Sequence, residues 1–172
     1  MALAEHETVL RQFNAVCQGI ALADWQREPA SGKWSPAAVT LHLCKSYELG
    51  RDSVAGGPSM RMRVGPAVAW LSRILLLPVL LATNRFPRGV AAPAEVRPDP
   101  AEARMLSLDA ASARLRRVAA EAATALHHAA AERSAPVVTH AYFGTLAPYS
   151  ALRLLSAHTR HHARGLASGR AR

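Results

Sequence analysis

The 172-residue sequence contains little cysteine and few aromatic residues, and each shortage restricts the fold. The two cysteines, Cys17 and Cys44, lie far apart within helical patterns. They predict small core residues in a reducing compartment and argue against a disulfide framework. Aromatic residues make up 5% of the chain, β-branched residues are few, and alanine and leucine are prominent. This composition favours packed helices over sheets.

Clustered charge is also missing, although the formal net charge is +9. The arginines are scattered, and no run of five or six like charges occurs. The sequence has neither zinc-finger spacing nor aromatic residues with basic flanks, so we predict no nucleic-acid partner. Glu5 and Glu7 stand where a secretory signal would carry basic residues before an apolar stretch. The expected location is therefore cytoplasmic.

Long apolar stretches are limited to one segment, from Val64 to Thr83. Its length is close to the roughly 20 residues of a membrane span. However, Arg73 lies near its middle, and Pro66 and Pro78 interrupt it. A charged residue at the centre of a bilayer costs several kcal/mol. We therefore predict a buried or cavity-lining helix and no membrane partner.

Helical periodicity predicts four bundle helices, at about 4–21, from 35 onwards, 101–131 and 148–166. Gly50, and later Gly56-Gly57-Pro58, mark the end of the second. Ser35 is a suitable N-cap for the second helix, and Pro36 fits its first position. A long crossover at about 56–100 contains the apolar segment and then a proline-rich stretch, 86–100, which we predict to be extended across the surface. The predicted fold class is all-α: a four-helix bundle forming a single domain over residues 1–172.

Three of the eight histidines fall on predicted inward faces. His158 and His162 are four residues apart, so they lie on one face of the last helix, whereas His161 points roughly 80° away towards the surface. His42 lies within an apolar face of the second helix. A buried imidazole is costly unless its nitrogens are satisfied, and a metal ion satisfies one nitrogen of each ring. His42, His158 and His162 therefore predict a site for a divalent metal ion, while hydrogen-bonded core histidines remain the alternative.

The other histidines carry weaker signals. His6 is near a terminus, and His127 and His128 fall near the end of an alanine-rich helix. His140 lies in the loop before the last helix, where either a cavity wall or a structural turn is possible. The sequence identifies no catalytic side chain. Arg73 and Arg85 are weak candidates for holding an anionic substrate, and Glu48 points away from the face that carries His42.

Several motifs resemble the DinB/YfiT-like metalloenzyme family. Trp34-Ser35-Pro36, followed by Val39, His42 and Leu43, resembles the start of that family's second helix. The segment 158–162 resembles its C-terminal H-x-x-x-H motif. The loop 140–144 resembles an H-P-x-F-G motif of one uncharacterised branch, with Ala141 in place of the proline. The proline-rich crossover is similar to the same branch.

The resemblance implies a DinB/YfiT-type four-helix bundle, often a homodimer, with a long crossover between its second and third helices. It implies that His42, His158 and His162 bind nickel, zinc, manganese or iron. Characterised relatives include S-transferases and isomerases that depend on low-molecular-weight thiols such as bacillithiol or mycothiol. The leading hypothesis is therefore a metal-dependent enzyme acting on a small molecule, such as a thiol-dependent S-transferase or a hydrolase. A non-catalytic metal-binding or stress-response protein remains the alternative, and whether the protein is an enzyme stays open.

Overall fold

The computed structural model describes residues 2–87, 90–132 and 138–169. Helices dominate the chain, and a short hairpin precedes the last of them. The elements in chain order are α1 (Ala2–Gln18), α2 (Leu22–Trp25), α3 (Pro36–Val54), α4 (Pro66–Thr83), a 3₁₀ turn (Ala94–Val96), α5 (Pro100–Met105), α6 (Leu108–Ala131), β1 (Val138–His140), β2 (Gly144–Leu146) and α7 (Pro148–Gly169).

The four long helices α1, α3, α6 and α7 form a bundle. Helix α3 packs mainly against α6, and α1 packs mainly against α7, while α6 and α7 join the two pairs. Fully buried alanines of α6, including Ala111, Ala119 and Ala122, present little side-chain bulk towards the core. Cys17 and Cys44 are buried in the same core, as predicted. The predicted all-α fold, with a long crossover between α3 and α6, is confirmed.

Helix α3 begins as its sequence predicts and ends later. The Ser35 hydroxyl accepts a hydrogen bond from the backbone N–H of Ala38, and Pro36 occupies the first turn. The helix continues past Gly50, the first of the two predicted end signals. A Cβ atom at Gly50 would lie 3.3 Å from Leu155 Cδ1 of α7. Gly50 therefore permits close packing of α3 and α7. The helix ends at Val54, before Gly56 adopts a φ of +78°.

The predicted helix 101–131 is two helices, so that prediction was wrong in this detail. Asp99 caps α5 by accepting hydrogen bonds from two backbone N–H groups, and α5 ends at Met105. Leu106 is extended, and Ser107 then caps α6 by accepting from the backbone N–H of Ala110. A second serine cap therefore starts a new helix where the sequence pattern had predicted a continuous one.

The apolar segment forms α4, which was predicted to be buried or to line a cavity. Burial holds for one face only, and Ser72, Leu76 and Leu80 line the cavity described below. Ala69, Leu77 and Leu80 are buried, whereas much of the helix is exposed. Among the described residues, α4 is the one helix long and apolar enough to cross a membrane, and 17% of it is buried. A single such helix is weak support for a span, and α4 packs sideways against α7 and β2. This packing suits a soluble protein, and the cytoplasmic location stays a prediction.

The crossover and the hairpin form one side of a cavity beside α3. The 3₁₀ turn buries Val96 to 1% exposure, so the proline-rich stretch does not simply cross the surface. Strands β1 and β2 pair antiparallel, with Val138 opposite Leu146 and His140 opposite Gly144. The sequence analysis had placed His140 in a loop. Strands of three residues carry too little pattern to be recognised from sequence.

Candidate metal centre

The ring of His42 is fixed in orientation by the crossover. His42 is 3% exposed, and its Nδ1–H donates to the backbone carbonyl of Val96 across 2.7 Å. Because a carbonyl oxygen can only accept, Nδ1 carries the proton and Nε2 presents a lone pair. The ring of Trp34 packs against the imidazole, with 4.9 Å between centroids. A backbone carbonyl that orients an imidazole in this way is typical of the surroundings of metal-ligating histidines.

Nε2 atoms of three histidines converge at one point between α3 and α7. His158 Nε2 lies 3.1 Å from His42 Nε2 and 3.0 Å from His162 Nε2. One ligand atom from each of the three residues lies within 4.8 Å of those of the others. Two nitrogens bound about 2.0–2.1 Å from one zinc ion are themselves roughly 2.8–3.4 Å apart, depending on the coordination angle. Both distances from His158 Nε2 fall in this range, so His42, His158 and His162 lie close enough together to be candidate ligands of one divalent transition-metal ion.

Burial keeps these three imidazoles neutral. It is the main cause of the lowered pKa of His42. Burial, followed by the neighbouring imidazoles, holds the pKa of His158 well below its ordinary value. The pKa of His162 is lowered to about 3, again mainly by burial and then by the neighbouring His42. Neutral imidazoles are the form that binds metals, so near pH 7 no proton has to be displaced from a charged ring.

The histidines open into a cavity of about 620 Å³ enclosed by α3, α4, the crossover, the hairpin and α7. Phe86 lies beside two of the rings, 5.4 Å from His158 and 5.2 Å from His161 between centroids. Most of the remaining wall is apolar, including Leu49, Leu76, Leu80, Val90, Pro93, Leu146 and Leu154. A cavity of this size and character suits a small, largely apolar molecule.

His140 is a fourth histidine on the cavity wall. Its Nδ1 accepts a hydrogen bond from the backbone N–H of Tyr142 at 3.2 Å, and its ring stacks on Phe143 with 4.8 Å between centroids. Burial lowers the pKa of His140 to about 4, so the ring is neutral. Since Nδ1 accepts, the proton is on Nε2. The structure thus assigns His140 to both roles left open by the sequence: it closes the hairpin and lines the cavity.

The charged residues of the site differ from the candidates named from sequence. Arg73 donates from Nη1 to the Thr145 carbonyl at 2.6 Å, and neither Arg73 nor the exposed Arg85 is among the cavity-lining residues. Arg97 lines the cavity instead, and nothing in its local sequence distinguished it. Glu48 pairs with Arg114, away from His42, as expected. In the described parts of the chain, no aspartate or glutamate lines the cavity.

Two other histidines differ from their predicted surroundings. His161 was expected to face the surface, but it is only partly exposed and lines the cavity next to Phe86. His6, assigned no role because it is near a terminus, is 1% exposed, with its Nδ1 3.0 Å from Ser156 Oγ. Its Nε2 has no hydrogen-bond partner among the described residues. His6 precedes Leu10 by four residues and the core residues Val9 and Phe13 by three and seven. This helical spacing was a weak signal that His6 points inward.

The comparisons with known proteins agree with this architecture. Residues 5–165, almost the whole chain, match the sequence model of the DinB superfamily. Neither the comparison with curated proteins nor the comparison with solved structures found a match.

Proposed function

Because the chain belongs to the DinB superfamily, we propose that it is a divalent-metal-dependent enzyme acting on a small molecule. In this proposal His42, His158 and His162 hold the metal, which is nickel, zinc, manganese or iron. The convergence of three Nε2 atoms at the inner end of a cavity is the observation that carries the proposal. The carbonyl of Val96 supports it, because it leaves the lone pair of His42 directed at the other two rings.

A divalent ion on three neutral imidazoles keeps coordination positions open and lowers the pKa of a water or thiol bound to it. The chain itself binds and orients the substrate. The apolar walls exclude water from the region around the three rings, and Trp34 and Phe86 limit the movement of the imidazoles. Arg97 supplies a positive charge for an anionic group on the substrate. His140 offers its Nε2–H as a donor to a substrate oxygen or sulfur.

We propose transfer from a low-molecular-weight thiol, or hydrolysis, as the reaction class. Both reactions need a nucleophile with a lowered pKa, and both involve a proton that the chain must accept. With no carboxylate on the described cavity wall, the available proton acceptors are imidazoles outside the ligand set. His161 suits this role better than His140, because it is partly exposed and can exchange protons with solvent.

Elemental analysis of protein purified without an affinity tag tests the metal site. Wild-type protein should contain about one equivalent of a transition metal, and His158→Ala should lose it, because two imidazoles bind far more weakly than three. His161→Ala is the matched control in the same helix and should keep its metal. Metal retained in His158→Ala, or no uptake of nickel, zinc, manganese or iron by the wild type, would contradict the proposal.

A non-catalytic metal-binding protein is the second candidate, favoured by the absence of any carboxylate from the described cavity wall. The same three ligands serve both functions, so metal content does not separate them. Turnover does: metal-loaded wild type should consume a thiol with an electrophilic acceptor, or an activated ester, while His158→Ala should not. Binding of one metal ion without turnover across such a screen would favour the non-catalytic function.

A further inference from the structure

Helix α4 has an apolar face that the described residues of the chain leave exposed. This outer face comprises Val68, Leu71, Ile74, Leu75, Pro78 and Val79. Its large side chains are between 46% and 59% exposed. The opposite face, with Ala69, Leu77 and Leu80, is buried against the rest of the protein. A contiguous exposed apolar face of this kind marks an interaction surface on a folded protein.

The outer face carries no charge. Arg73 is the only charged residue of α4, and it turns to the inner side, where Nη1 donates to the Thr145 carbonyl of β2. This contact and the packing of α4 against α7 hold the helix lengthwise on the protein surface. A helix of 18 residues, about 27 Å long, therefore presents its side rather than its end to a partner.

Positive charge surrounds the outer face. The segment 53–94 contains five arginines and no acidic residue, and the chain from 133 to its end also lacks acidic residues. Arg61 and Arg63 precede α4, Arg85 follows it, and Arg153 of α7 lines a groove beside it; all four are exposed. In the described ranges, none of these four arginines forms a salt bridge with a side-chain carboxylate; the recorded ion pairs involve other residues.

Two carboxylates, one at each end of α4, lie near this cationic rim. Glu95 Oε1 accepts the backbone N–H of Arg61, and the charges of Arg61 and Arg63 act on the same carboxyl group. It offsets part of the charge at the N-terminal end of α4. At the other end, Glu5 pairs with Arg160, which also donates to the Asn84 side chain, and Arg164 donates to the Asn84 carbonyl. The single carboxylate there is thus outnumbered by arginines. The rim therefore remains cationic overall.

We infer that the outer face of α4 docks onto the surface of a membrane containing anionic lipids. The apolar side chains enter the boundary between headgroups and acyl chains, and Arg61, Arg63, Arg85 and Arg153 contact anionic headgroups. This combination of an apolar face, positive flanks and an interfacial aromatic residue, here Trp70, is characteristic of helices that lie in the plane of a membrane. The docking is peripheral, because Arg73 and the inner face stay with the protein. It therefore replaces the expectation of no membrane partner, which was based on the cost of placing Arg73 at the centre of a bilayer.

A second copy of the chain fits this surface less well. Pairing two outer faces would bring two cationic rims together, and the outer face offers no carboxylate to neutralise them. Like charges at the edge of an interface disfavour association, whereas an anionic bilayer is attracted to both the rim and the apolar face. Charge complementarity thus distinguishes the two occupants. The inference does not depend on the metal site, and its test requires no bound metal.

Vesicle co-sedimentation with full-length protein tests the inference. Wild type should bind phosphatidylcholine vesicles containing phosphatidylglycerol at least ten times more tightly than phosphatidylcholine alone, and high salt should weaken binding. Ile74→Glu/Leu75→Glu should reduce binding at least tenfold. The matched control is Leu22→Glu/Met105→Glu, which adds the same charge at side chains that are 78% and 87% exposed elsewhere. This control should bind within about twofold of the wild type.

Fluorescence gives a second measurement that does not depend on introduced charge. Trp70 is 56% exposed, whereas Trp25 is 3% exposed and Trp34 is half-buried against His42. Anionic vesicles should therefore shift the emission of the protein to the blue through Trp70. Trp70→Phe should abolish the shift. Arg61→Gln/Arg63→Gln/Arg85→Gln should reduce the preference for anionic vesicles without touching the apolar face.

Three results would overturn the inference. One is the absence of wild-type binding to either vesicle. Another is equal loss of binding in the face variant and its control, which would show that net charge alone is responsible. The third is a wild-type homodimer that ignores vesicles and becomes monomeric in Ile74→Glu/Leu75→Glu during sedimentation, which would identify a second copy as the occupant.

Discussion

The α3–α6 side of the bundle and the side formed by α4, the hairpin and α7 are built differently. Between α3 and α6 the core is closed, with Leu43, Cys44 and the inward alanines Ala111, Ala119 and Ala122 of α6 at zero exposure. At its surface, Arg114 pairs with Glu48 and Glu102. The other side encloses a cavity, exposes apolar residues and contains no acidic residue in α4, the hairpin or α7. One side is thus closely packed and charge-paired. The other contains the three histidines, the cavity and the exposed apolar face of α4.

Identical truncations on the two sides should have the most different effects. Leu115 of α6 is 3% exposed, so Leu115→Ala should lower the free energy of unfolding by about 2–5 kcal/mol through lost burial and a cavity. Leu76, 57% exposed on α4, should cost less than about 1 kcal/mol when changed to alanine, because little burial is lost. Urea denaturation measures both. Similar costs would show that the open side is packed as tightly as the closed one.

Removing the metal should lower stability only when the histidine site on the open side is intact. A chelator should lower the melting temperature of the wild type, since a ligand at 100 times its dissociation constant stabilises the folded state by about 2.7 kcal/mol. His158→Ala should melt at one temperature with or without the chelator. Differential scanning calorimetry of the two proteins makes the comparison, with His161→Ala expected to behave like the wild type. A chelator effect that persists in His158→Ala would place the bound metal elsewhere.

His6 should make the closed core sensitive to acid. Burial lowers its pKa in the folded state, so below about pH 6.5 the unfolded chain binds more protons and stability falls as the pH decreases. One such proton gives a slope of at most about 1.4 kcal/mol per pH unit. In metal-free protein, His6→Phe should make the free energy of unfolding depend less steeply on pH between pH 7 and 5. The substitution leaves the Ser156 hydroxyl with a partner, because it still donates to the Leu152 carbonyl. Urea titrations at each pH measure the free energy of unfolding. If its pH dependence is the same in His6→Phe and the wild type, His6 is not the group responsible.

The smallest effect should come from surface charge pairing. Arg114 bridges Glu48 and Glu102, and the three side chains are between 24% and 39% exposed. Arg114→Ala should cost about 0.5–1 kcal/mol in low salt and less in high salt, because exposed ion pairs are weak and screened. Arg153→Ala, which removes an arginine with no ion pair in the described structure, should be near neutral. Chemical denaturation at two salt concentrations measures both variants.

The site was predictable only to the extent that local sequence specifies the direction in which a side chain points. His158 and His162 share a face because helical geometry places residues four apart together, and Ser35 and Pro36 set where α3 begins. The break at Leu106 was missed because the residues on both sides of it favour helix, although Ser107 is itself a good cap. Arg73 and Arg85, the candidates for holding an anionic substrate, do not line the cavity, whereas Arg97 does. Arg97 lies in a non-helical part of the crossover, where no periodicity indicates the direction of a side chain.

The sequence by itself determined the helical class, the order of the bundle helices and the inward direction of three histidines, because these follow from periodicity, capping and residue size within each element. Tertiary structure alone decided which groups meet. The Val96 carbonyl reaches His42 from 54 residues away, and Ser156 lies against His6 from 150 residues away. Tertiary packing also left the outer face of α4 exposed, since burial depends on which apolar surfaces the other helices have already covered.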